Sequence, residues 1–242
     1  MTPHPAAWHA ATVRAVASET PSARRLEFDV PTWPGNDAGA HVDIRLTAPD
    51  GYQASRSYSL ASSGEAPRVL LAVDEVPGGE VSPFLVHELR PGDQVELHGP
   101  LGAYFVWRPG DYRPVQLIAG GSGVVPLYAM AALRDEIGDE AGFRLLYSVR
   151  SPADRFFAAE LDGLAERGLE LRYVYTRQGP LGWTDAVGRV TRDALAAAVW
   201  PARTRPHVYV CGPTAFVETV ADWLVELGHA AHDIRTERFG GG

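Results

Sequence analysis

Hydrophobic and polar positions alternate in short runs through the first hundred residues. In the segment 41–46, alternation places Val42, Ile44 and Leu46 on one side of an extended chain and polar residues on the other. Similar β-branched runs, separated by Gly, Pro and Asp, occupy residues 11–16, 25–30, 69–73 and 94–97. Several strands at this spacing are typical of an antiparallel barrel or sandwich, which is the fold we expect for the first half.

The pattern changes in the second half, where apolar runs alternate with helical segments. Strands are predicted over 115–119, 143–149, 169–175, 207–210 and 233–236, and helices over 124–137, 154–167, 191–199 and 214–227. These strands are nearly all apolar, as expected when both faces of a sheet are covered, so we expect a doubly wound parallel α/β sheet with ligands beyond its carboxyl edge. The turn-rich segment 107–114 separates the two patterns and predicts two domains, residues 1–110 and 111–242.

Composition and charge narrow the function. All 22 basic residues are Arg, so lysine Schiff-base enzymes and P-loop proteins are excluded. The net charge of −8 disfavours nucleic acid and anionic membranes as partners. A single cysteine, Cys211, can form neither a disulfide nor a four-thiolate iron-sulfur cluster, and no metal site is predicted. The sequence shows no signal peptide and no apolar stretch of about 18 residues, which predicts a cytoplasmic protein.

Two glycine-containing strings follow predicted strands of the second half. Residues 120–123, Gly-Gly-Ser-Gly, lead from strand to helix, and Pro126 lies in the first helical turn. In this G-x-G-x-x-P string the glycines permit close approach to a pyrophosphate. The string Cys211-Gly212-Pro213 ends another apolar strand. We therefore expect both strings at the same edge of the sheet.

Two strings in the first half suit a phosphorylated, planar ligand. In residues 56–59, Arg-Ser-Tyr-Ser, alternation places Arg56 and Tyr58 on one side of a strand and the two serines on the other. An arginine fork, an aromatic ring and small hydroxyls are what a phosphorylated planar cofactor needs. Residues 78–82, Gly-Gly-Glu-Val-Ser, precede a helix that Ser82 is expected to cap, and such a helix start favours phosphate.

The order of these strings, together with Gly-Pro-Leu-Gly at 99–102, resembles the ferredoxin-NADP reductase superfamily over nearly the whole chain. The resemblance implies a flavin-binding antiparallel β-barrel over 1–110 and a nicotinamide nucleotide-binding α/β domain over 111–242. It implies a monomeric flavin-dependent NAD(P)H oxidoreductase that transfers hydride from NADPH to FAD. The electrons then pass to a separate acceptor protein, such as a ferredoxin, a flavodoxin or an oxygenase component.

The resemblance also implies residue roles. Arg56 is expected at the flavin phosphate, Tyr58 on the isoalloxazine ring and Ser59 near flavin N5. Ser59, Cys211 and Glu237 form the implied catalytic set, with Cys211 positioning the nicotinamide. The implied cofactor-binding set comprises Arg56, Ser57, Tyr58, Ser59, Val73, Gly79, Val81, Ser82, Gly121, Ser122, Gly123, Pro126, Ser148, Arg150, Thr176, Arg177, Arg189, Cys211, Gly212, Pro213 and Phe239.

The choice of cofactors rests on further residues. Arg150, Arg177 and Arg189 follow the second and third strands of the sheet, where the 2′-phosphate of NADPH needs positive charge, so NADPH is favoured over NADH. The Gly-Gly-x-Val-Ser string and its helix favour FAD over FMN. Phe239 is expected either to cover the flavin or to close the last strand as an apolar plug.

Two alternative functions stay open at this point. The first is a reductase of a small acceptor such as a ferric chelate or a quinone, whose rate would depend little on salt. The second is an electron-transfer subunit that works only with a partner enzyme.

Overall fold

The computed structural model of the protein describes residues 6–65 and 67–240 and divides into two compact units between Trp107 and Arg108. The elements of the first unit are β1 (Ala7–Thr20), β2 (Ala23–Asp29), β3 (His41–Thr47), β4 (Gln53–Ser59), β5 (Arg68–Asp74), α1 (Ser82–His87) and β6 (Gln94–Leu101). Those of the second unit are β7 (Val115–Gly120), α2 (Val124–Glu136), β8 (Phe143–Val149), α3 (Ala158–Glu166), β9 (Glu170–Tyr175), α4 (Arg192–Ala198), β10 (His207–Pro213), α5 (Thr214–Glu226) and β11 (Ile234–Phe239).

The first unit is an antiparallel barrel with strand order β4-β3-β6-β1-β2-β5. A bridge between Leu60, just after β4, and Leu71 of β5 joins the two outer strands. Strand β1 is longer than the predicted segment 11–16 because its first part pairs with β6 and its second part with β2. The barrel predicted from alternating runs is confirmed, with inward residues such as Phe28, Ile44 and Leu71 fully buried.

The second unit is a five-stranded parallel sheet in the order β11-β10-β7-β8-β9, with helices packed on it. All six residues of β7 are buried, as expected for a central strand that is covered on both faces. The order of strands reverses between β7 and β10, which places a crevice at the carboxyl ends of these strands. The predicted parallel α/β fold is confirmed.

Two local predictions were wrong. Ser82 does not cap α1, because Val81 occupies the N-cap position and the Ser82 hydroxyl instead accepts a hydrogen bond of 3.0 Å from the backbone N–H of Val76. The third helix begins at Ala158 rather than near residue 154, because Phe157 takes a left-handed conformation (φ 52°) that interrupts a helix. Neither change moves the strand ends.

Among the residues described, no helix is both long enough and apolar enough to cross a membrane.

Candidate functional site

In the first unit, Arg56 and Tyr58 project from the same face of β4. Register pairs Arg56 with Ile44 and Tyr58 with Val42, so both share the face of the inward-pointing residues of β3. Tyr58 is half-buried against the barrel core, and burial raises the pKa of its hydroxyl to about 12. Arg56 is exposed. The face thus offers a neutral aromatic group and a solvent-facing guanidinium, as the alternation predicted.

The Arg56 guanidinium is held by a carboxylate from the glycine-rich loop. Its Nη2 donates to Glu80 Oε2 at 2.9 Å, and its Nη1 donates to the carbonyl of Ser55 at 2.7 Å. The other oxygen of Glu80 accepts a hydrogen bond of 2.7 Å from the Tyr52 hydroxyl. The bonds from Tyr52 and then Arg56 lower the pKa of Glu80, so its carboxylate is charged at neutral pH. Sequence reasoning missed Glu80 and Tyr52.

Ser57 and Ser59 lie on the opposite face of β4. The Ser57 hydroxyl donates to Asp43 Oδ1 at 2.6 Å, across the strand pair β3 and β4. Ser59 is paired with His41, whose imidazole pKa is lowered by burial. The structure therefore does not bring these two hydroxyls to the face that carries Arg56 and Tyr58.

The remaining predicted flavin residues of the first unit are largely packed. The side chains of Val73 and Val81 are fully buried in the barrel core, and Ser82 is buried too. The N–H of Gly79 donates to the Val76 carbonyl at 2.9 Å, which folds the loop before α1. The groups that this segment can still offer a ligand are backbone N–H groups in the first turn of α1, which have no intrahelical acceptor.

In the second unit, the predicted glycine string forms one turn of 3₁₀ helix, Gly121–Gly123, between β7 and α2. An added Cβ at Gly123 would lie 2.3 Å from the carbonyl oxygen of Cys211, so only glycine lets this turn approach β10. An added Cβ at Gly120 would meet the ring of Phe216 at 2.8 Å. Both glycines are thus required by packing at the crevice, and Phe216 is a residue of this edge that the sequence did not reveal. Ser122 and Pro126 belong to the same turn and the start of α2.

The Cys211 thiol and the Glu237 carboxyl are neighbours in the register of β10 and β11. Cys211 is completely buried, and burial followed by the nearby carboxyl raises the pKa of its thiol. Burial raises the pKa of Glu237 to about 7. Two residues further along the strands, Pro213 is exposed and pairs with Phe239, which is 37% exposed.

Three arginines at the carboxyl ends of β8 and β9 differ in their partners. Arg150 is paired with Asp154 at 2.8 Å. The side chains of Arg177 and Arg189 are exposed, and neither makes an ion pair with any residue in the described ranges 6–65 and 67–240. Backbone hydrogen bonds connect the segments that carry these arginines. The N–H of Arg177 donates to the Arg150 carbonyl at 3.0 Å, and the N–H of Gly188 donates to the Tyr175 carbonyl at 2.9 Å.

Two other predicted residues support the same edge. Ser148 is buried at the second-to-last position of β8 and pairs with Gly120 of β7. The N–H of Thr176 donates to the carbonyl of Val149 at 2.8 Å, which continues the pairing of β8 and β9 past the last strand residue.

Comparison with known proteins assigns each of the two units to a domain family. Residues 10–106 match an oxidoreductase FAD-binding domain, and residues 117–222 match an oxidoreductase NAD-binding domain. The protein is therefore a two-domain oxidoreductase that uses FAD and a nicotinamide cofactor. Its chain is 34% identical over 214 residues to ferredoxin–NADP reductase B of Sorangium cellulosum, covering 84% of this chain and 85% of that one. The chain belongs to the ferredoxin-NADP reductase superfamily, which confirms the resemblance.

Other relatives show how widely the two domains are used. The reductase component of naphthalene 1,2-dioxygenase/salicylate 5-hydroxylase systems from a Ralstonia species is 29% identical, covering 98% of this chain and 70% of that protein. A cytochrome P450 reductase from Amycolatopsis, known from its crystal structure, is 29% identical in sequence to this chain. The two structures superpose with a TM-score of 0.84, and the match covers 98% of this chain and 71% of that one. The chain spans 51% and 52% of the length of two flavohemoproteins that it matches.

Proposed function

We propose that the protein oxidises NADPH with FAD as its cofactor and passes the electrons to a separate acceptor protein, such as a ferredoxin, a flavodoxin or an oxygenase component. The names of the Ralstonia and Amycolatopsis relatives favour a component of an oxygenase system as the acceptor. A cytoplasmic location and a monomeric state stay predictions.

The proposal of NADPH rests on two arginines that are available to bind a phosphate. Arg177 and Arg189 stand at the carboxyl edge of the sheet with exposed guanidinium groups and no ion pair among the described residues. A 2′-phosphate carries charge that NADH lacks, and arginine forks bind phosphate through charge-assisted hydrogen bonds. Arg150 is less available because Asp154 already neutralises it.

The residues of the barrel fit FAD. Arg56 has donors left after its bonds to Glu80 and Ser55, and these would bind flavin phosphate. Tyr58 would support the isoalloxazine ring with a face that is half-buried and neutral. Val81 and Ser82 would contribute backbone N–H groups. Gly79 would contribute only to the fold of the loop, because its N–H already donates to the Val76 carbonyl. Val73 would contribute only backbone atoms, because its side chain is in the core.

The crevice of the second unit would hold the nicotinamide nucleotide. The turn of Gly121, Ser122 and Gly123 would approach its pyrophosphate. Cys211, with its raised thiol pKa, would act as a neutral positioning group. Glu237, whose pKa is about 7, can hold or release a proton near neutrality. When bound, FAD supplies the chemistry that links two-electron uptake from a nicotinamide to single-electron release.

The first experiment is the visible absorption spectrum of the purified protein, followed by anaerobic titration with NADPH and separately with NADH. Flavin absorption that NADPH bleaches faster than NADH would support the proposal. A protein that binds neither FAD nor FMN would refute it.

The acceptor is tested by turnover at rising ionic strength. Reduction of a charge-steered protein acceptor, such as a ferredoxin, should slow as salt is added, because screening shortens the range of attraction. High turnover with ferricyanide or a quinone, insensitive to salt and undiminished without any protein acceptor, would instead indicate a reductase of small molecules.

A further inference from the structure

The loop between β9 and α4 carries both arginines that are proposed to bind the 2′-phosphate of NADPH. Arg177 lies near its start and Arg189 near its end. We propose that Trp183, in the middle of this loop, is a positioning residue that holds the two arginines where they can bind that phosphate. The inference rests on the proposed function, because Trp183 acts on the coenzyme only through these arginines.

Trp183 is the side chain that anchors the middle of this loop. Residues 176–191 form neither helix nor strand, and a connection of this length is uncommon unless it serves a function or is mobile. Between the two arginines, the side chains of Leu181 and Val187 are exposed, that of Leu181 fully. Among the described residues of this segment, Trp183 is therefore the one large apolar side chain that is partly buried.

The indole of Trp183 packs against the end of β9 and against its own loop. Its ring meets the ring of Tyr175 edge to face, with centroids 4.9 Å apart and planes at 84°. It also lies on the backbone of Gly179, where an added Cβ would be only 2.5 Å from Trp183 Cγ. The N–H of Trp183 donates to the Pro180 carbonyl at 3.0 Å, which turns the chain back toward Gly179. The indole thus joins the middle of the loop to the last residue of β9.

Tyr175 connects the indole to both arginines. It lies two residues before Arg177, and its carbonyl accepts a hydrogen bond of 2.9 Å from the N–H of Gly188, the residue before Arg189. The two ends of the loop are therefore held at the strand end, and Trp183 holds the segment between them. A loop that is ordered before the coenzyme binds lowers the entropy that binding must overcome.

This arrangement should matter for one coenzyme and not for the other. Without the indole, the segment between the arginines loses its contact with Tyr175, so the 2′-phosphate of NADPH would have to order the loop as it binds. NADH has no phosphate at this position and does not depend on where the two guanidinium groups lie. Trp183 should therefore influence the choice of coenzyme and leave the rate of hydride transfer unchanged.

The test compares Trp183→Ala and Trp183→Phe with the wild-type, flavin-loaded protein. Steady-state kinetics are measured with NADPH and with NADH, using ferricyanide as the acceptor. In Trp183→Ala we expect kcat/KM for NADPH to fall about three- to tenfold through KM, and that for NADH to change by less than about twofold. Trp183→Phe should restore the use of NADPH, because it keeps a ring against Tyr175. The indole N–H that it removes is buried and has no hydrogen-bond partner among the described residues.

Gly179→Ala perturbs the same contact from the backbone side. Its added Cβ would displace the indole without removing it, so NADPH use should fall as it does in Trp183→Ala. Gly188→Ala is the matched control, since an added Cβ at this other glycine of the loop meets nothing within 4 Å. Leu181→Ala removes an exposed apolar side chain from the same loop. Both controls should keep the wild-type ratio of NADPH to NADH use.

A combined variant shows whether Trp183 acts through the arginines. In a protein that already carries Arg177→Ser and Arg189→Ser, Trp183→Ala should cause no further loss with NADPH, because residues that act through one another are not additive. A further threefold loss there, or equal losses with NADH and NADPH in Trp183→Ala alone, would overturn the positioning role.

Failure of this inference differs from failure of the proposed function. An unchanged ratio of NADPH to NADH use in Trp183→Ala, where Arg177→Ser and Arg189→Ser do lower it, would overturn the role of Trp183 alone. If the two arginine variants also keep the wild-type ratio, the proposed choice of NADPH fails and the role of Trp183 fails with it.

Discussion

Cys211 and Glu237 lie opposite each other on the neighbouring parallel strands β10 and β11, with their side chains on the same face of the sheet. Burial raises the pKa of both groups, and the carboxyl raises that of the thiol further. The thiol therefore stays protonated at neutral pH, which suits a positioning group and not a nucleophile. Glu237, with a pKa of about 7, changes its charge near neutral pH.

Glu237→Gln should change stability in a pH-dependent way. In the unfolded chain the pKa of a glutamate is about 4.3, whereas in the folded protein the pKa of Glu237 is about 7. Between these values the folded state binds more protons, so stability falls as pH rises through this window and stays reduced above it. At about pH 8 the glutamine variant should be more stable by about 1 to 3 kcal/mol, and at about pH 4.5 by almost nothing.

Thermal unfolding of the flavin-loaded proteins at the two pH values measures this difference. Glu218→Gln, an exposed glutamate on α5, is the control and should give no pH-dependent gain. The same gain for Glu237→Gln at both pH values would show that the carboxyl does not titrate as the buried position requires.

Arg177→Ser and Arg189→Ser should weaken the use of NADPH and leave that of NADH nearly unchanged. Each change removes a fork that is free to bind the 2′-phosphate, and a charge-assisted bond contributes about 1.5 to 3 kcal/mol. We expect kcat/KM for NADPH to fall about 10- to 100-fold in each variant, mainly through KM. Steady-state kinetics with both coenzymes and one artificial electron acceptor provide the measurement.

Arg172→Ser is the matched control for these two variants. Arg172 is exposed on the same strand, β9, but lies before its carboxyl end. Its loss should not alter the ratio of NADPH to NADH use. Equal losses with both coenzymes in Arg177→Ser and Arg189→Ser would contradict a role at the 2′-phosphate.

Much of the fold could be predicted because burial leaves a strong pattern in the sequence. Strand β8 occupies the predicted residues 143–149, where five of the seven residues are apolar and six are buried, as expected for an inner strand of a covered sheet. The cap of α1 could not be predicted, because a serine hydroxyl serves a turn as readily as a helix end. Ser82 accepts from Val76 N–H, outside the helix.

The candidate site was predictable only where a local pattern defines it. Alternation separated Arg56 from Ser57 correctly, but it cannot show which face meets a ligand. Glu80 lies 24 residues from Arg56, and their contact depends on how the loop before α1 folds back to β4. The requirement for glycine at position 123 arises from a strand almost ninety residues later, so no local pattern carries it.

Arg56→Ala and Ser57→Ala should affect FAD binding differently, because the two side chains lie on opposite faces of β4. Loss of the Arg56 guanidinium removes charged donors for the flavin phosphate, and we expect the Kd for FAD to rise about 10- to 100-fold. Ser57 donates to Asp43 on the opposite face, so its loss should change the FAD Kd by less than about twofold. Fluorescence titration of the two apoproteins measures both effects. A large loss in Ser57→Ala would mean that the flavin contacts the other face of the strand.

Gly123→Ala should destabilise the second unit through a backbone collision. The added Cβ would lie 2.3 Å from the Cys211 carbonyl oxygen and 2.7 Å from the Gly212 nitrogen, and neither atom can move without displacing β10. Overpacking of this kind costs about 1 to 3 kcal/mol or more. It should also weaken nicotinamide binding, because it displaces both the glycine turn and the end of β10, which line the crevice.

Gly188→Ala is the control, because an added Cβ there meets nothing within 4 Å and should change the free energy of unfolding by less than about 1 kcal/mol. Urea unfolding followed by far-ultraviolet circular dichroism measures both variants. Equal stability of the two would show that the turn and β10 can separate, and that Gly123 is not required for their contact.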